Sequence, residues 1–226
     1  MFVHCYLGEL SKSGKVIFGR NYDYHEAFFK LSDCLVETTF VINEMSFTTF
    51  GWAGCLYATT GCNSHGVFVE LNDATWHDLE MTKLGHKSPN RMDYNLLPLL
   101  VESKTIEDGE RWLLENLPNF SYLIGLANER EARCYLWNRR ERIPHVPFIQ
   151  GYNNVVFANH YFNDPWDLPE YEDYLDSIPR MNYLQDNVQR MDVDEMIELI
   201  KSSRVYHTVY QIVWEHPHFV FIPIKK

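Results

Sequence analysis

The residues of this chain best suited to nucleophilic chemistry are its five cysteines, Cys5, Cys34, Cys55, Cys62 and Cys134. Their odd number and the absence of a C-x-x-C pair fit neither a disulfide framework nor a zinc ribbon, so we expect reduced thiols. Free cysteine usually behaves as a small buried hydrophobic residue, and we assign that role to four of the five. Cys5 is our candidate nucleophile because of its place in the first predicted strand.

Five short polar segments follow predicted strands or begin predicted helices. They are GRNYD at 19–23, GCNSHG at 61–66, ELN at 70–72, NHY at 159–161 and SIPR at 177–180. Their order resembles the signatures G-R-N-x-D, G-M-N-E-K-G, G-L-N, N-H-F and S-x-x-R of the choloylglycine hydrolases, penicillin V acylases and related acyl-transferases, which are N-terminal-nucleophile (Ntn) hydrolases. The resemblance extends over nearly the whole chain, from Cys5 to Ile222.

The resemblance implies both a fold and an activity. The fold would be the four-layer αββα sandwich of the α+β class, with two stacked antiparallel sheets and helices outside. The activity would be hydrolysis of a linear carbon–nitrogen amide bond, or acyl transfer, without a cofactor or a metal. The substrate would be a small acyl amide, which these residues do not specify further.

The chemistry of amides explains why such a site needs several groups. An amide is resonance-stabilised, so its cleavage at neutral pH requires an activated nucleophile, a base and donors for the oxyanion. In Ntn enzymes the side chain of the first residue attacks. Its own α-amino group, with an ordinary pKa near ~8, acts as the base.

The resemblance implies three roles around the nucleophile. Cys5 would attack the carbonyl carbon. Arg20 would favour the thiolate, because a nearby cation lowers the pKa of a cysteine. Asp23 would hold the α-ammonium group. If the motifs did not occur in this order, the simplest interpretation of Arg20 and Asp23 would be an ordinary ion pair at a strand end.

Three further residues complete the site that the resemblance implies. Asn72 and Asn159 would donate hydrogen bonds to the tetrahedral oxyanion, and Arg180 would support the geometry of Asp23 and Cys5. The ordinary alternative is that both asparagines cap turns and that Arg180 is solvated on a helix.

The start of the chain differs from the family pattern. The spacing from Cys5 to Asp23 is one residue shorter than in the family, and the ungapped nucleophile position is His4. If the turn at residues 11–14 is one residue shorter than in the family, Cys5 aligns with the nucleophile position. Tight turns differ in length by such steps. A free α-amino group on Cys5 also requires removal of residues 1–4 as a short propeptide, which autocatalytic cleavage would achieve.

Three alternative readings remain open. The first is a binding protein on the same fold that is inactive or unprocessed. The second is a metal-dependent hydrolase, but no H-E-x-x-H occurs, and His216-Pro217-His218 fits a turn between strands. The third is a Ser-His-Asp hydrolase. The motif G-x-S-x-G would indicate this class of enzyme, but it is absent from the sequence.

Aromatic residues near the polar segments are candidates for an apolar acyl site. Packing in the core explains any single one of them equally well. The candidates are Tyr22, Tyr24, Phe28, Phe29, Trp76 and Tyr161.

Periodicity predicts sheets covered by helices in one domain spanning residues 1–226. Alternation and turn composition predict strands at 2–10, 15–19, 35–42, 56–60, 67–71, 121–127, 132–137, 155–158, 208–214 and 219–224. Helical spacing predicts two helices after Asp93 and Thr105, and two more at 177–190 and 192–202.

Composition narrows the classes of partner. The net charge of −11 makes a polyanion such as nucleic acid an improbable partner. No apolar stretch approaches the ~20 residues of a membrane span, so we expect no membrane insertion and a cytoplasmic location. The association state is left open, with a homo-oligomer among the options.

Overall fold

The strands of the chain form two antiparallel sheets in a computed structural model, which describes residues 2–6, 11–74, 95–116, 121–137, 154–160 and 176–225. One sheet has five strands in the order β11-β10-β2-β1-β9, and the other has six in the order β3-β4-β5-β6-β7-β8. The strands are β1 Phe2–Tyr6, β2 Phe18–Asp23, β3 Leu35–Ile42, β4 Met45–Trp52, β5 Thr60–Asn63, β6 Phe68–Asp73, β7 Tyr122–Ala127, β8 Ala132–Trp137, β9 Asn154–Phe157, β10 Thr208–Glu215 and β11 His218–Pro223.

Helices cover the outer face of each sheet. They are α1 Leu97–Glu102, α2 Ile106–Glu115, α3 Ser177–Asn187 and α4 Val193–Ser202, with a 3₁₀ helix at Glu26–Cys34. Helices α3 and α4 pack on the five-stranded sheet, and α1 and α2 pack on the six-stranded sheet. The predicted α+β class and four-layer αββα order are therefore confirmed. No helix in the described ranges is long and apolar enough to cross a membrane.

Aromatic side chains fill the space between the sheets. The ring of Phe68 on β6 lies 4.1 Å from that of Phe18 on β2 and 5.1 Å from that of Trp214 on β10, measured between centroids. All three side chains are buried. Burial of a large apolar side chain contributes about 2 kcal/mol, so this contact is a main attachment between the two sheets.

Two helices begin with the reciprocal hydrogen bonds of a capping box. At α2 the Thr105 hydroxyl accepts from the Asp108 amide, and the Asp108 carboxylate accepts from the Thr105 amide. Asp192 and Glu195 form the same arrangement at α4. Both helix starts were predicted from sequence, because the two residues of a capping box lie only three positions apart. Their side chains accept hydrogen bonds from amides that would otherwise be unpaired.

Two elements were not predicted from sequence. The strand β4 returns from β3 through a two-residue turn at Asn43 and Glu44, both with positive φ. Such a turn favours Asn-Gly, so Asn-Glu gives a weak signal. The 3₁₀ helix was also missed, and the strand predicted at 56–60 lies instead at Thr60–Asn63.

Gly19 permits the close approach of α4 to β2. A Cβ at this position would lie 2.6 Å from Sδ of Met196 and 2.9 Å from Cγ2 of Ile200. We predict that Gly19→Ala lowers the free energy of unfolding by about 2 kcal/mol, because the side chains of Met196 and Ile200 must move away from the added methyl group. Urea denaturation measures this. The control is Gly51→Ala, whose added Cβ meets no atom within 4 Å, and an equal loss in both variants would contradict the packing explanation.

Candidate active site

The segment 19–23 divides its side chains between two layers of the fold, because successive residues of a strand point to opposite faces. Gly19 contacts α4, and Nδ2 of Asn21 donates to the Ile200 carbonyl of the same helix at 2.8 Å. Arg20 points the other way, into the space between the sheets, and its Cζ lies 5.0 Å from the Tyr22 ring centroid. The motif thus attaches β2 to a helix and to the second sheet.

Asp23 ends β2 with its carboxylate held from two directions. Nη1 of Arg180 donates to Oδ2 at 2.6 Å, and the Thr208 hydroxyl donates to Oδ1 at 2.6 Å. Burial raises the pKa of Asp23, but the positive charge around it, which includes Arg180, and the Thr208 hydrogen bond outweigh burial and lower the pKa well below its usual range. Asp23 is therefore a fixed negative charge at neutral pH.

Arg180 also connects Asp23 to Asn159. Its Nη2 donates to Oδ1 of Asn159 at 3.3 Å, and Nδ2 of Asn159 donates to the Asp73 carbonyl at 2.8 Å. The guanidinium group is rigid and planar, so it fixes the carboxylate and the amide relative to each other. The structure therefore brings together Asp23, Asn159 and Arg180, which lie far apart in the sequence.

The segments at 159–161 and 177–180 meet through one hydroxyl. Oγ of Ser177 accepts from the Asn159 backbone amide at 2.7 Å and lies 2.7 Å from Nδ1 of His160. All three residues are buried. Ser177 is the first residue of α3, so this contact fixes the helix that carries Arg180 to the end of β9.

Asn72 lies near the end of β6, next to the chain that follows β9. Its Nδ2 donates to the Ala158 carbonyl at 3.3 Å, one residue before Asn159. Asn72 is fully buried. Both residues predicted to bind an oxyanion therefore lie at adjoining strand ends, one from each sheet.

Arg20 extends from β2 into the six-stranded sheet. Its Nη1 donates to the Thr59 carbonyl at 2.9 Å and to the Thr60 hydroxyl, and its Nη2 donates to the Leu71 carbonyl at 2.8 Å. Its Nη1 also lies 3.2 Å from Oε2 of Glu70, and neither side chain is exposed. The ion pair with Glu70 was not predicted from sequence, where Glu70 stands at the glycine of G-L-N.

Cys5 lies in β1, opposite Phe18 of β2 and Val155 of β9. Phe18 is five residues from Asp23, which corresponds to about 17 Å along a strand at ~3.3 Å per residue. In this register the Cys5 backbone is not adjacent to Asp23. Cys5 thus lies apart from the Asp23 group in this register. Its role stays a prediction, as do the roles of the other five site residues.

The other four cysteines fall into two pairs. Cys62 and Cys134 are buried, and burial raises the pKa of the Cys62 thiol to about 12 and that of the Cys134 thiol well above its usual value. Both thiols stay protonated at neutral pH, which suits a packing role. Cys34 and Cys55 are exposed, so the prediction that all four are buried was wrong for these two.

An aromatic cluster adjoins Asp23. The Tyr24 ring lies 4.5 Å from Phe28, 5.3 Å from Trp52 and 5.7 Å from Tyr22, measured between centroids. Tyr24 is 40% exposed. Trp52 was missed in the sequence because it ends the unpredicted strand β4. Phe29 packs instead on Tyr206, while Trp76 and Tyr161 lie outside the described residues.

Three solved structures have this arrangement of sheets and helices. The first is an N-acylethanolamine-hydrolyzing acid amidase ortholog of Caenorhabditis elegans, with 16% sequence identity, a TM-score of 0.70, and coverage of 96% of this chain and 94% of that chain. The second is penicillin V acylase of Agrobacterium tumefaciens, with 12% identity, a TM-score of 0.54, and coverage of 99% of this chain and 83% of that chain. The third is a mutant of the conjugated bile acid hydrolase of Clostridium perfringens, with 12% identity, a TM-score of 0.54, and coverage of 99% of this chain and 92% of that chain. The fold is therefore that of the Ntn hydrolases.

The family follows from the sequence. Residues 10–218 match the model of the acyl-coenzyme A:6-aminopenicillanic acid acyl-transferase family. The chain belongs to this family. No curated protein matches its sequence significantly.

We predict that the contribution of Asp23 to stability is lost in acid. Its folded-state pKa is lowered, so its stabilising effect is present above the unfolded pKa of about 4 and is lost as the pH falls toward the folded value. Asp23→Asn should lower the free energy of unfolding by about 3 kcal/mol at pH 7, with a smaller difference at pH 3. Urea denaturation at several pH values measures both.

A matched control is Asp33→Asn. Asp33 is 82% exposed and lies 3.7 Å from Nζ of Lys225, so its replacement should change stability by less than about 1 kcal/mol. A difference between Asp23→Asn and the wild type that is the same at pH 7 and pH 3 would contradict the assignment of a low folded-state pKa.

Proposed function

We propose that this protein cleaves or forms a linear carbon–nitrogen amide bond, with the Cys5 thiol as nucleophile. The observation that supports this most is the connected group of Asp23, Arg180 and Asn159 at adjoining strand ends. Membership of an acyl-transferase family and the order of the motifs agree with it. We propose the same single unit for residues 1–226, with residues 1–4 as a propeptide.

The reaction assigns a step to each group. The α-amino group of Cys5, held by Asp23, takes the thiol proton, and the thiolate forms a bond to the amide carbonyl carbon. The carbonyl electron pair moves to oxygen, where Asn72 and Asn159 donate hydrogen bonds. The intermediate then collapses, the carbon–nitrogen bond breaks, and the α-ammonium group returns the proton to the leaving amine. Water or a second amine then attacks the thioester carbon and gives a proton to the α-amino group. The carbon–sulfur bond breaks, and the α-ammonium group returns the proton to the thiolate.

This reaction requires β1 to move relative to β2. If residues 1–4 are removed, a shift of four residues brings Cys5 opposite Tyr22, beside Asp23. Because four is an even number, the shift preserves the alternation of faces along the strand. We propose this shift as part of maturation.

The register of β1 favours a second candidate, a binding protein on the same fold that lacks activity. In this case β1 keeps Cys5 opposite Phe18, about 17 Å from Asp23 along the strand. The groups around Asp23 would then hold a polar ligand without a covalent step. The two candidates differ in whether Cys5 ever becomes the first residue.

We predict that the purified protein loses residues 1–4 and that Cys5 then reacts fastest of its thiols. The mass of the intact chain shows the cleavage, and peptide mapping after brief iodoacetamide treatment at pH 7 identifies the fast thiol. The measurement uses the variant Cys34→Ser/Cys55→Ser as its background, because these two exposed thiols are also accessible to iodoacetamide. Cys5→Ala in this background is the control and should abolish the fast reaction.

A full-length mass together with an unreactive Cys5 would contradict maturation of the purified protein. The protein can also be cleaved with an added protease so that its first residue is Cys5. This form distinguishes the enzyme from the inactive binding protein. Activity against a panel of acyl amides in this form alone indicates a dormant precursor. Absence of activity in both forms supports the binding protein.

We propose that the aromatic cluster around Tyr24 binds the acyl group of the substrate. Tyr24→Ala removes a half-exposed ring that packs on Trp52 and Phe28, so we expect kcat/KM for a long-chain acyl amide to fall about tenfold relative to an acetyl amide. Tyr183→Ala, a partly exposed tyrosine on α3, is the matched control. An equal fall for both substrates would place the acyl group elsewhere.

A further inference from the structure

The strand β3 forms one edge of the six-stranded sheet. It has eight residues, and in the described part of the chain β4 is its one neighbour. Its pairing with β4 runs from Leu35, opposite Trp52, to Ile42, opposite Met45, without a shift in register. An edge strand presents unpaired backbone donors and acceptors, which bind another strand unless some feature of the edge prevents it.

The other three edges of the described sheets carry features that hinder such pairing. Strand β9 has four residues. Strand β8 carries Arg133, a charged side chain that Glu107 and Glu110 hold in ion pairs. Strand β11 ends at Pro223, which has no backbone N–H to donate. Short strands, charged side chains and proline are means by which proteins block an edge.

Strand β3 has none of these features. Its sequence, LVETTFVI, contains no lysine, arginine or proline, and Glu37 is its single charged residue. Most of its residues are β-branched or aromatic, and these residue types favour strands. Val41 is 74% exposed and Ile42 is 45% exposed, so the end of the strand also offers apolar surface.

The free backbone groups of β3 belong to alternate residues. The Ala53 amide donates to the Cys34 carbonyl at 2.8 Å, which makes Cys34 and Ala53 a hydrogen-bonded pair. Such pairs alternate along an antiparallel ladder, so the N–H and C=O groups of Glu37, Thr39 and Val41 point away from β4. All three residues are exposed. Their backbone groups can therefore bind a further strand.

We propose that β3 pairs with β3 of a second copy of this chain to form a two-fold symmetric dimer. A two-fold axis normal to the sheet at Thr39 gives antiparallel strands and sets Thr39 opposite the partner's Thr39. Glu37 then lies opposite the partner's Val41, so the outward-facing groups of these three residues form hydrogen bonds in both copies. The proposal is independent of the activity, because β3 carries none of the candidate site residues.

The second copy is favoured as the occupant because β3 is complementary to itself in this register. Val36 lies opposite the partner's Ile42, and Thr38 lies opposite the partner's Phe40. Apolar and β-branched pairs across strands are stabilising, and no carboxylate faces another carboxylate.

Two effects limit the strength of the dimer. The net charge of −11 opposes the association of two copies, and salt screens this repulsion. One pair of strands also buries less area than a standard interface. We therefore expect a dissociation constant of about 10 μM, with tighter association at higher salt.

Sedimentation velocity from ~1 to ~100 μM protein measures the dimer directly. Thr39→Pro removes an N–H that the ladder with β4 does not use, so the chain should fold. Its dissociation constant should rise at least about a hundredfold, because both copies lose a hydrogen bond at the axis. Thr39→Ala keeps the N–H and is the matched control, with a dissociation constant within about threefold of the wild type. Circular dichroism and the urea midpoint check that both variants fold.

The register is tested at position 41, whose side chain is exposed in the single chain. Val41→Lys places an ammonium group opposite the partner's Glu37 and should lower the dissociation constant about fivefold, whereas Val41→Glu should raise it about fivefold. Leu56→Lys and Leu56→Glu control for net charge, because Leu56 is 64% exposed and lies outside β3. The dissociation constants of these two controls should differ by less than about twofold.

Three results would overturn the proposal. A chain that stays monomeric at every concentration excludes the second copy and leaves a strand of a different protein as the occupant of the edge. A dimer that persists in Thr39→Pro places the contact between the copies elsewhere. Equal dissociation constants for Val41→Lys and Val41→Glu contradict the pairing of position 41 with Glu37.

Discussion

The guanidinium group of Arg20 connects the two sheets at the level of the candidate site. It extends from β2 and donates to carbonyl groups of Thr59 and Leu71 in the opposite sheet, and it pairs with Glu70. Since a charged hydrogen bond is worth about twice a neutral one in a buried setting, these contacts determine how β2 and β6 lie relative to each other. Asp23 and Asn72 occupy the ends of those two strands, so the site depends on Arg20 for its shape.

A second arginine arranges the polar groups at those strand ends. Arg180 binds the carboxylate of Asp23 and the amide of Asn159, and Ser177 fixes the start of the same helix to the backbone of Asn159. Asp23 ends β2 and Arg180 lies in the first turn of α3, and positions on strands and helices hold catalytic geometry more closely than loops do. Asn159 lies two residues beyond β9 and is held by Arg180 and Ser177.

The sequence predicted the fold and much of the site, because short motifs report local requirements. Glycine at position 19, for example, reflects the approach of α4. The pairing of Arg20 with Glu70 and the role of Thr208 could not be predicted, since both depend on which strands become neighbours. Trp52 was missed with its strand, whose turn carries an unusual Asn-Glu pair. The register of β1 follows from strand pairing and not from the spacing of the motifs.

The most direct test of the account is to find where an acyl group resides during turnover. The protein is mixed with an activated acyl anilide, quenched in acid after less than one turnover, digested and analysed by mass spectrometry. The account predicts one acyl group on a peptide that begins at Cys5. Release of the aniline with no acyl group on Cys5, or an acyl group on another residue, would contradict it.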